Sequence, residues 1–415
     1  MKIVKYITLI VLILFVWTAI VYFGSGSGLL LKPITSGNTS TSFIEATKAK
    51  LENEFIGNLA MVLLEKGEVS KDFYYSIDEP IDKHTIFQMA SVSKWVTAWG
   101  ILALAQEGKL NIDHPVENYL SRWHLPDSEF DNSEVTIRNL LSHTSGLIDG
   151  LGYAGFTSED SVQTLEESLT KAADAYYTEG VTMVGYKPNS QYKYSGGGYT
   201  LLQLVIEEVS GQSFNDYMTE AVFKPLKMGQ TSYHWSDSSS LHLANFYKSD
   251  SSIAPHYKYA SLASSSLYTN IADFSLFLKA NFTDNDVLKK KTINIMNDIH
   301  TPNGYTMHGL GPMIFAKKGS GDMIIGHDGV SLDAINNAAR INLKTKDGIV
   351  VFGNGNWGFA SKIADEWSFW KTRIPNNTVM SSNLPMLITL LVIGYLFILI
   401  LSIYVIRRKL KKTKG

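Results

Sequence analysis

Ser91 and Lys94 stand three residues apart in the stretch Phe87-Gln88-Met89-Ala90-Ser91-Val92-Ser93-Lys94-Trp95-Val96. On a helix this spacing lets a hydroxyl and an amine meet across one turn. A serine hydroxyl is a poor nucleophile until a neighbouring base takes its proton. A lysine held in a dry pocket, with its pKa pushed down, is such a base. The stretch closes an apolar, strand-like run and opens a helical pattern, which puts Ser91 at or beside a helix N-terminus. That end of a helix favours the negative charge that develops when the hydroxyl attacks a carbonyl. Val92, Trp95, Val96, Trp99 and Leu102 form one apolar stripe on the same helix, suited to burial.

Spacing alone does not select this pair. Ser-x-x-Lys recurs at Ser168/Lys171, Ser190/Lys193 and Ser368/Lys371, where a solvated helix face or a loop is the ordinary reading. The copy at Ser91 is set apart by its apolar flank and by two motifs downstream. One is Tyr194-Ser195-Gly196, a tyrosine that ends an extended segment just before a helix. The other is His327-Asp328-Gly329, on a glycine-flanked strand.

The elements that must position these residues follow from periodicity and turn chemistry. Residues 56–64 alternate as a strand, turn at Lys66-Gly67 and return through 68–77, a hairpin. A helix runs from about Ser91 to Gln106, and 135–141 is a short one. Residues 158–180 read as an acidic surface helix and loop, with further helices near 201–209, 214–222 and 270–280. Residues 236–256 read as a loop. The last third is strand-rich, at 312–316, 322–327, 334–342 and 347–353, with Gly, Lys-Gly or Asp-Gly turns between. Strands at both ends and helices between predict an α/β chain of the α+β kind, its antiparallel sheet completed by both chain ends.

At this point the order of motifs resembles a known family. Ser-x-x-Lys, then Tyr-x-Asn, then Lys/His-x-Gly is the pattern of the serine β-lactamase and penicillin-binding-protein superfamily. The likeness is to its class C β-lactamase-like branch of D-alanyl-D-alanine carboxypeptidases and esterases. Residues 140–147 (Leu-Leu-Ser-His-Thr-Ser-Gly-Leu), 194–202, 223–228 and 266–273 are similar to that branch too, so the resemblance covers roughly residues 45–360. It implies an antiparallel sheet flanked by helices, with an inserted all-helical lobe. It also implies Ser91 as the nucleophile of an acyl-enzyme, Lys94 sharing its proton, and Tyr194 as general base and then acid, its phenol pKa lowered by cationic neighbours. The backbone N–H groups of Ser91 and Val330 would form the oxyanion hole. His327, where many relatives have lysine, would lie with Gly329 on the binding edge and orient a carboxylate or the tyrosine. Gly196 departs from the pattern: a glycine cannot supply the asparagine amide that in relatives holds the acyl-side carbonyl. Classical β-lactam turnover is therefore not expected. His143 reads as a loop brace rather than a triad base.

The 415-residue chain is 45% hydrophobic and 18% charged, with a net charge of −2 and no cysteine. Disulfides and thiolate chemistry are excluded, and no basic surface suggests nucleic acid. No metal or nucleotide motif is present, so no cofactor is expected. Lys2 and Lys5 precede an apolar run at 6–23, a signal sequence or, as favoured here, an uncleaved anchor. Residues 24–42 read as a flexible tether. A second apolar run, 384–406, is followed by a basic tail, 407–415. The expected organisation is thus a cytoplasmic start (1–5), a first span, the tether, an extracytoplasmic hydrolase domain (43–375), a linker (376–383), a second span and a cytoplasmic tail. The lipid bilayer is one expected partner and a small-molecule, peptide or cell-envelope substrate the other, a D-amino-acid-containing amide or ester. A non-catalytic penicillin-binding-like sensor or scaffold is the alternative.

Overall fold

The computed structural model describes residues 2–51, 55–150, 152–235, 241–302, 307–318, 322–331 and 334–412. Part of the expected loop (236–240), the expected Gly turn at 319–321 and the last three residues of the basic tail lie outside the described residues. In chain order the helices are α1 (Lys2–Gly26), α2 (Ser40–Leu51), α3 (Val92–Gln106), α4 (Ile137–Leu141), α5 (Leu165–Lys171) and α6 (Gly197–Ser210). They continue with α7 (Phe214–Met218), α8 (Leu262–Ser265), α9 (Ile271–Ala280), α10 (Lys290–Asn297), α11 (Phe359–Thr372) and α12 (Asn377–Lys412). The strands are β1 (Asn58–Glu65), β2 (Glu68–Ser76), β3 (Phe87–Gln88), β4 (Phe246–Tyr247) and β5 (Ile253–Ala254). They end with β6 (Tyr268–Thr269), β7 (Met313–Lys318), β8 (Asp322–Val330), β9 (Ile335–Asn342) and β10 (Asp347–Asn354).

Six strands form one antiparallel sheet in the order β2-β1-β10-β9-β8-β7. The two chain ends close it through the pairing of β1 with β10, as the sequence leads one to expect. All eight residues of β9 are buried; α3 packs on this strand, and the Ala360 N–H at the start of α11 donates to Asn336. The edge strand β2 is largely exposed and carries Glu68, Lys71 and Asp72, charges that disfavour pairing with another chain. The helical lobe lies between β2 and β7 in sequence.

Helix α3 is the centre of the molecule. Thirteen of its residues, Val92 to Leu104 without a break, are buried, so it is no amphipathic surface helix with one apolar stripe. Trp95 and Trp99 both pack against Phe277 of α9, with ring centroids 5.1 Å apart in each pair. Lys94 is thereby carried into the core by the helix that holds it.

Two compact units emerge, Ile44–Ala364 and a second made of Met1–Phe43 with Asp365–Gly415. The unit that carries the sheet ends at Ala364, beside the expected domain limit of 375. The second half of α11 belongs to the terminal unit, where Phe369 packs with Val21, Leu31, Val379 and Leu387. Within the terminal unit the residues of the expected tether make hydrogen bonds. The Lys32 N–H donates to the Asn383 side-chain oxygen at 2.8 Å, the Asn383 side-chain NH2 donates to the Lys32 carbonyl at 3.1 Å, and the Trp370 indole donates to the Gly37 carbonyl at 2.7 Å. The linker, second span and start of the tail are one continuous helix, α12, with Pro385 inside it. Residues 4–26 and 377–409 are both long and apolar enough to cross a membrane. Within this unit the ring of Trp17 fills the space beside Gly394, and Thr18 meets the Tyr395 hydroxyl at 2.5 Å.

Candidate active site

Strand β3 leads into the site, paired to β6 through Phe87↔Thr269 and Gln88↔Tyr268. Asn337 of β9 donates to the Gln88 carbonyl at 2.9 Å, tying this short ribbon to the main sheet. The chain then turns sharply: Ala90 has φ +46°, a left-handed conformation that costs an alanine energy and sits where strained residues commonly mark function. Ser91 follows as the N-cap of α3. Its hydroxyl makes no cap bond, so unlike most N-cap serines it is not occupied with the helix end.

Lys94 reaches back one turn, Nζ to Ser91 Oγ at 3.2 Å, and donates also to the Ser264 carbonyl of α8 at 3.0 Å. Its side chain is fully buried, and desolvation lowers the amine from 10.5 to about 7. Burial is the larger influence, and the charge of Asp149 opposes it.

Tyr194 completes a triangle. Lys94 Nζ is 5.0 Å from the centre of its ring, and its phenol bonds the Ser91 side chain. The expectation that cationic neighbours lower this phenol fails. Burial pushes its pKa well up instead, only partly offset by Ser91. The Lys94 amine beside its ring is itself made less basic by burial. Burial thus favours the neutral amine and the protonated phenol together.

Tyr194 lies in irregular backbone, not a paired strand, and is held from its C-terminal side. The Ser195 N–H donates to His143 Nδ1 at 3.1 Å, and Ser195 Oγ donates to Asp149 at 2.5 Å. The same carboxylate accepts from the Gly197 N–H at 2.6 Å, at the N-terminus of α6. Asp149 is buried, and desolvation raises it to about 6 against these bonds. His143 stacks on Tyr194 with centroids 4.2 Å apart and has φ +57°. It braces the loop, as expected, and also the tyrosine. Desolvation lowers its pKa well below the ordinary value, so the ring is neutral.

His327 is 1% exposed, on β8 opposite Ala339. It is not an edge histidine open to solvent. Its Nδ1 pairs with the Asp328 carbonyl at 2.6 Å, and its ring centre is 6.5 Å from that of Tyr194. Burial and the nearness of Lys94 hold it neutral, which suits it to orienting a phenol better than to binding a carboxylate by charge. Asp328 points the other way, into an ion pair with the buried Arg340 at 2.6 Å.

Gly329 explains how β8 reaches the nucleophile. A Cβ there would stand 2.0 Å from the Met89 carbonyl, two residues before Ser91. Only a glycine lets the strand lie against that turn, and Val330, paired with Asn336, follows directly. Gly196 is likewise a place of close approach, since a Cβ would lie 2.9 Å from the Tyr153 ring.

The structure thus gathers Ser91, Lys94, Tyr194, His327 and Gly329 around the start of α3. The serines of the other Ser-x-x-Lys copies have other surroundings. Ser168 is buried within α5, Ser190 bonds the Lys187 carbonyl in a turn, and Ser368 is buried in α11. Sequence reasoning missed Asp149, Tyr153, His308 and the Ser264 carbonyl. Asp149 follows the His143–Leu147 stretch by two residues, the only signal it gave. His308, whose ring is 5.0 Å from His143, gave none.

A serine at a helix start, a buried lysine one turn on and a tyrosine over both, beside a six-stranded sheet, define a β-lactamase-like or penicillin-binding-like protein, and with it the fold of a serine hydrolase. The Beta-lactamase family model matches residues 44–367, and the chain belongs to that family. Protein flp of Staphylococcus aureus strain MRSA252 is 27% identical over 350 residues, covering 81% of this chain and 66% of that protein. The chain thus spans just under two-thirds of the length of this curated relative. Penicillin-binding protein 4* of Bacillus subtilis strain 168 is 38% identical over 153 residues, 37% of this chain and 31% of that one. Among solved structures, the octameric penicillin-binding protein homologue from Pyrococcus abyssi superposes with a TM-score of 0.65 at 24% identity, covering 83% of this chain and 76% of that one. A penicillin binding protein from Bacillus halodurans gives 0.57 at 22% identity, over 77% and 95%.

Proposed function

We propose that the protein is a membrane-anchored, extracytoplasmic serine hydrolase that cleaves an amide or ester through an acyl-enzyme on Ser91. The observation that carries this reading is the buried Lys94 amine, near pKa 7, bonded to a helix-start serine whose hydroxyl is not used as a cap. Neutral Lys94 takes the Ser91 proton as Oγ attacks the carbonyl carbon. The oxyanion is received by the backbone N–H groups of Ser91 and Val330, on the edge that Gly329 brings close. Tyr194, with its proton retained, donates to the leaving oxygen or nitrogen, and Lys94 returns a proton to the phenol. Water then attacks the ester carbonyl with the same groups in reverse roles. His327 and His143 hold the tyrosine ring. The substrate class implied by the family is a D-amino-acid-containing or other cell-envelope amide or ester, and the apolar helices at both ends support action at a membrane.

The test is to treat the full-length protein in detergent with a fluorophosphonate and map the adduct. Label is expected on Ser91 alone, abolished by Ser91→Ala and unchanged in Ser168→Ala, Ser190→Ala and Ser368→Ala. No adduct on Ser91 would leave the non-catalytic sensor or scaffold as the better reading.

A further inference from the structure

The basic ends of the two terminal helices meet at a groove. Lys5, Tyr6, Thr8, Leu9 and Leu12 of α1 line it with Lys409 of α12, around a volume of about 630 Å³. That is the size of a small-molecule site, which spans about 300–1,000 Å³. Lys5, Thr8, Leu9 and Leu12 follow the spacing i, i+3, i+4 and i+7, so they share one face of α1. Along that face the chemistry changes in order, from an ammonium through a hydroxyl to two hydrocarbon side chains, over about 10 Å of helix rise. Leu9 and Leu12 stay 51% and 56% exposed, so α12 does not close over them.

Farther from the basic ends the two helices touch, with the Trp17 ring against Gly394 and Thr18 at 2.5 Å from the Tyr395 hydroxyl. At the mouth of the groove, Lys409 Nζ stands over the Tyr6 ring, 5.9 Å from its centre. Thr8 spends its hydroxyl proton on the Val4 carbonyl at 3.0 Å, which leaves the two ammonium groups and the Tyr6 phenol as the donors there. Neither α1 nor α12 contains an aspartate or a glutamate. The groove therefore has a positive mouth and an apolar floor.

We propose that this groove holds one anionic phospholipid, with its phosphate at Lys5 and Lys409 and an acyl chain along Leu9 and Leu12. The proposal goes beyond the hydrolase chemistry and rests only on the membrane reading of the two helices. Lysines at a bilayer surface attract anionic headgroups, each adding to the affinity. A zwitterionic lipid brings its own cation to the same place, where the lysine pair repels it. The selected lipid is thus the anionic one, and it bridges the first and last helices of the chain at their basic ends.

Native mass spectrometry of the full-length protein in detergent, titrated with dioleoyl phosphatidylglycerol or dioleoyl phosphatidylcholine, tests this. Phosphatidylglycerol should bind first as a single molecule per chain, about tenfold or more tighter than phosphatidylcholine. Lys5→Gln and Lys409→Gln should each weaken it about fivefold. Leu12→Trp keeps every charge but fills the floor, and should weaken it too. Arg408→Gln removes a charge from the same helix end but outside the groove, and should leave the first site unchanged. Equal binding of the two lipids by wild type overturns the proposal without needing any variant. A loss in Arg408→Gln equal to that in Lys5→Gln also overturns it, since the charge would then act diffusely. So does displacement of the lipid by inorganic phosphate at constant ionic strength, because a bare anion site needs no acyl chain. If the full-length chain stays in solution without detergent, the membrane reading fails first and this inference falls with it, whereas labelling of Ser91 is judged separately.

Discussion

Replacing Lys94 by Met removes the buried amine while keeping most of its volume. The amine falls from 10.5 to about 7 on folding because it is fully buried. At about 1.4 kcal/mol for each factor of ten, the folded chain disfavours the ammonium by an order of 5 kcal/mol. The sign follows from proton counting. Between pH 7 and 10.5 the unfolded chain binds the proton and the folded chain does not, so this lysine costs stability there and the cost fades as pH rises. It is about 4 kcal/mol at pH 7, about 2 at pH 9 and close to zero by about pH 10.5. Lys94→Met also strips a bond from the Ser264 carbonyl and one from Ser91, but that loss does not depend on pH and enters as a constant offset. Wild type should thus gain about 2 kcal/mol on the variant between pH 7 and 9, roughly 4 °C in Tm for a domain of this size. Thermal melts of both proteins in the same detergent, at pH 7, 8 and 9, measure it. Acylation of wild type by a fluorophosphonate should rise over the same range with a midpoint near pH 7, and the variant should be slower by orders of magnitude. A melting difference that is flat with pH would show that Lys94 keeps its proton when folded, and the assignment of the amine as base would be refuted.

Gly329→Ala would press a methyl group 2.0 Å from the Met89 carbonyl; the strand must shift, with an expected loss of about 3 kcal/mol or more in stability and a collapse of Ser91 labelling, checked by melting and adduct mass. Asp149→Asn should slow acylation by about tenfold or more, because the amide cannot accept equally from Ser195 and Gly197, and should blunt the fall in wild-type stability between about pH 4 and 6 that comes from ionising a buried carboxyl raised to about 6. Pre-steady-state labelling and pH-dependent melts report the two effects. Protease added to intact spheroplasts should digest residues 44–364 and spare a tag placed after Gly415; loss of that tag from outside would overturn the proposed topology.

Much of the site was legible because its chemistry is local. Ser91 and Lys94 are one helical turn apart, so their meeting follows from geometry that any α-helix supplies. The sheet, with strands from both ends of the chain, followed from alternation and turn residues, and the two apolar termini from length alone. Other features depend on what surrounds a residue, which no spacing encodes. The direction in which Tyr194 and Lys94 shift is decided by burial, which raises a phenol and lowers an amine together. That α3 is buried all round, carrying its lysine inside, was decided by packing from β8, α6, α8 and α9. Asp149 and His143 grip Ser195 across 46 and 52 residues. Gly196 read as the loss of an amide from the sequence; in the folded chain it is the space that Tyr153 occupies. A sequence sets which groups are available and which near neighbours meet, whereas their protonation and the shape of the wall beside them come from desolvation and contact between distant segments, and those exist only once the chain has folded.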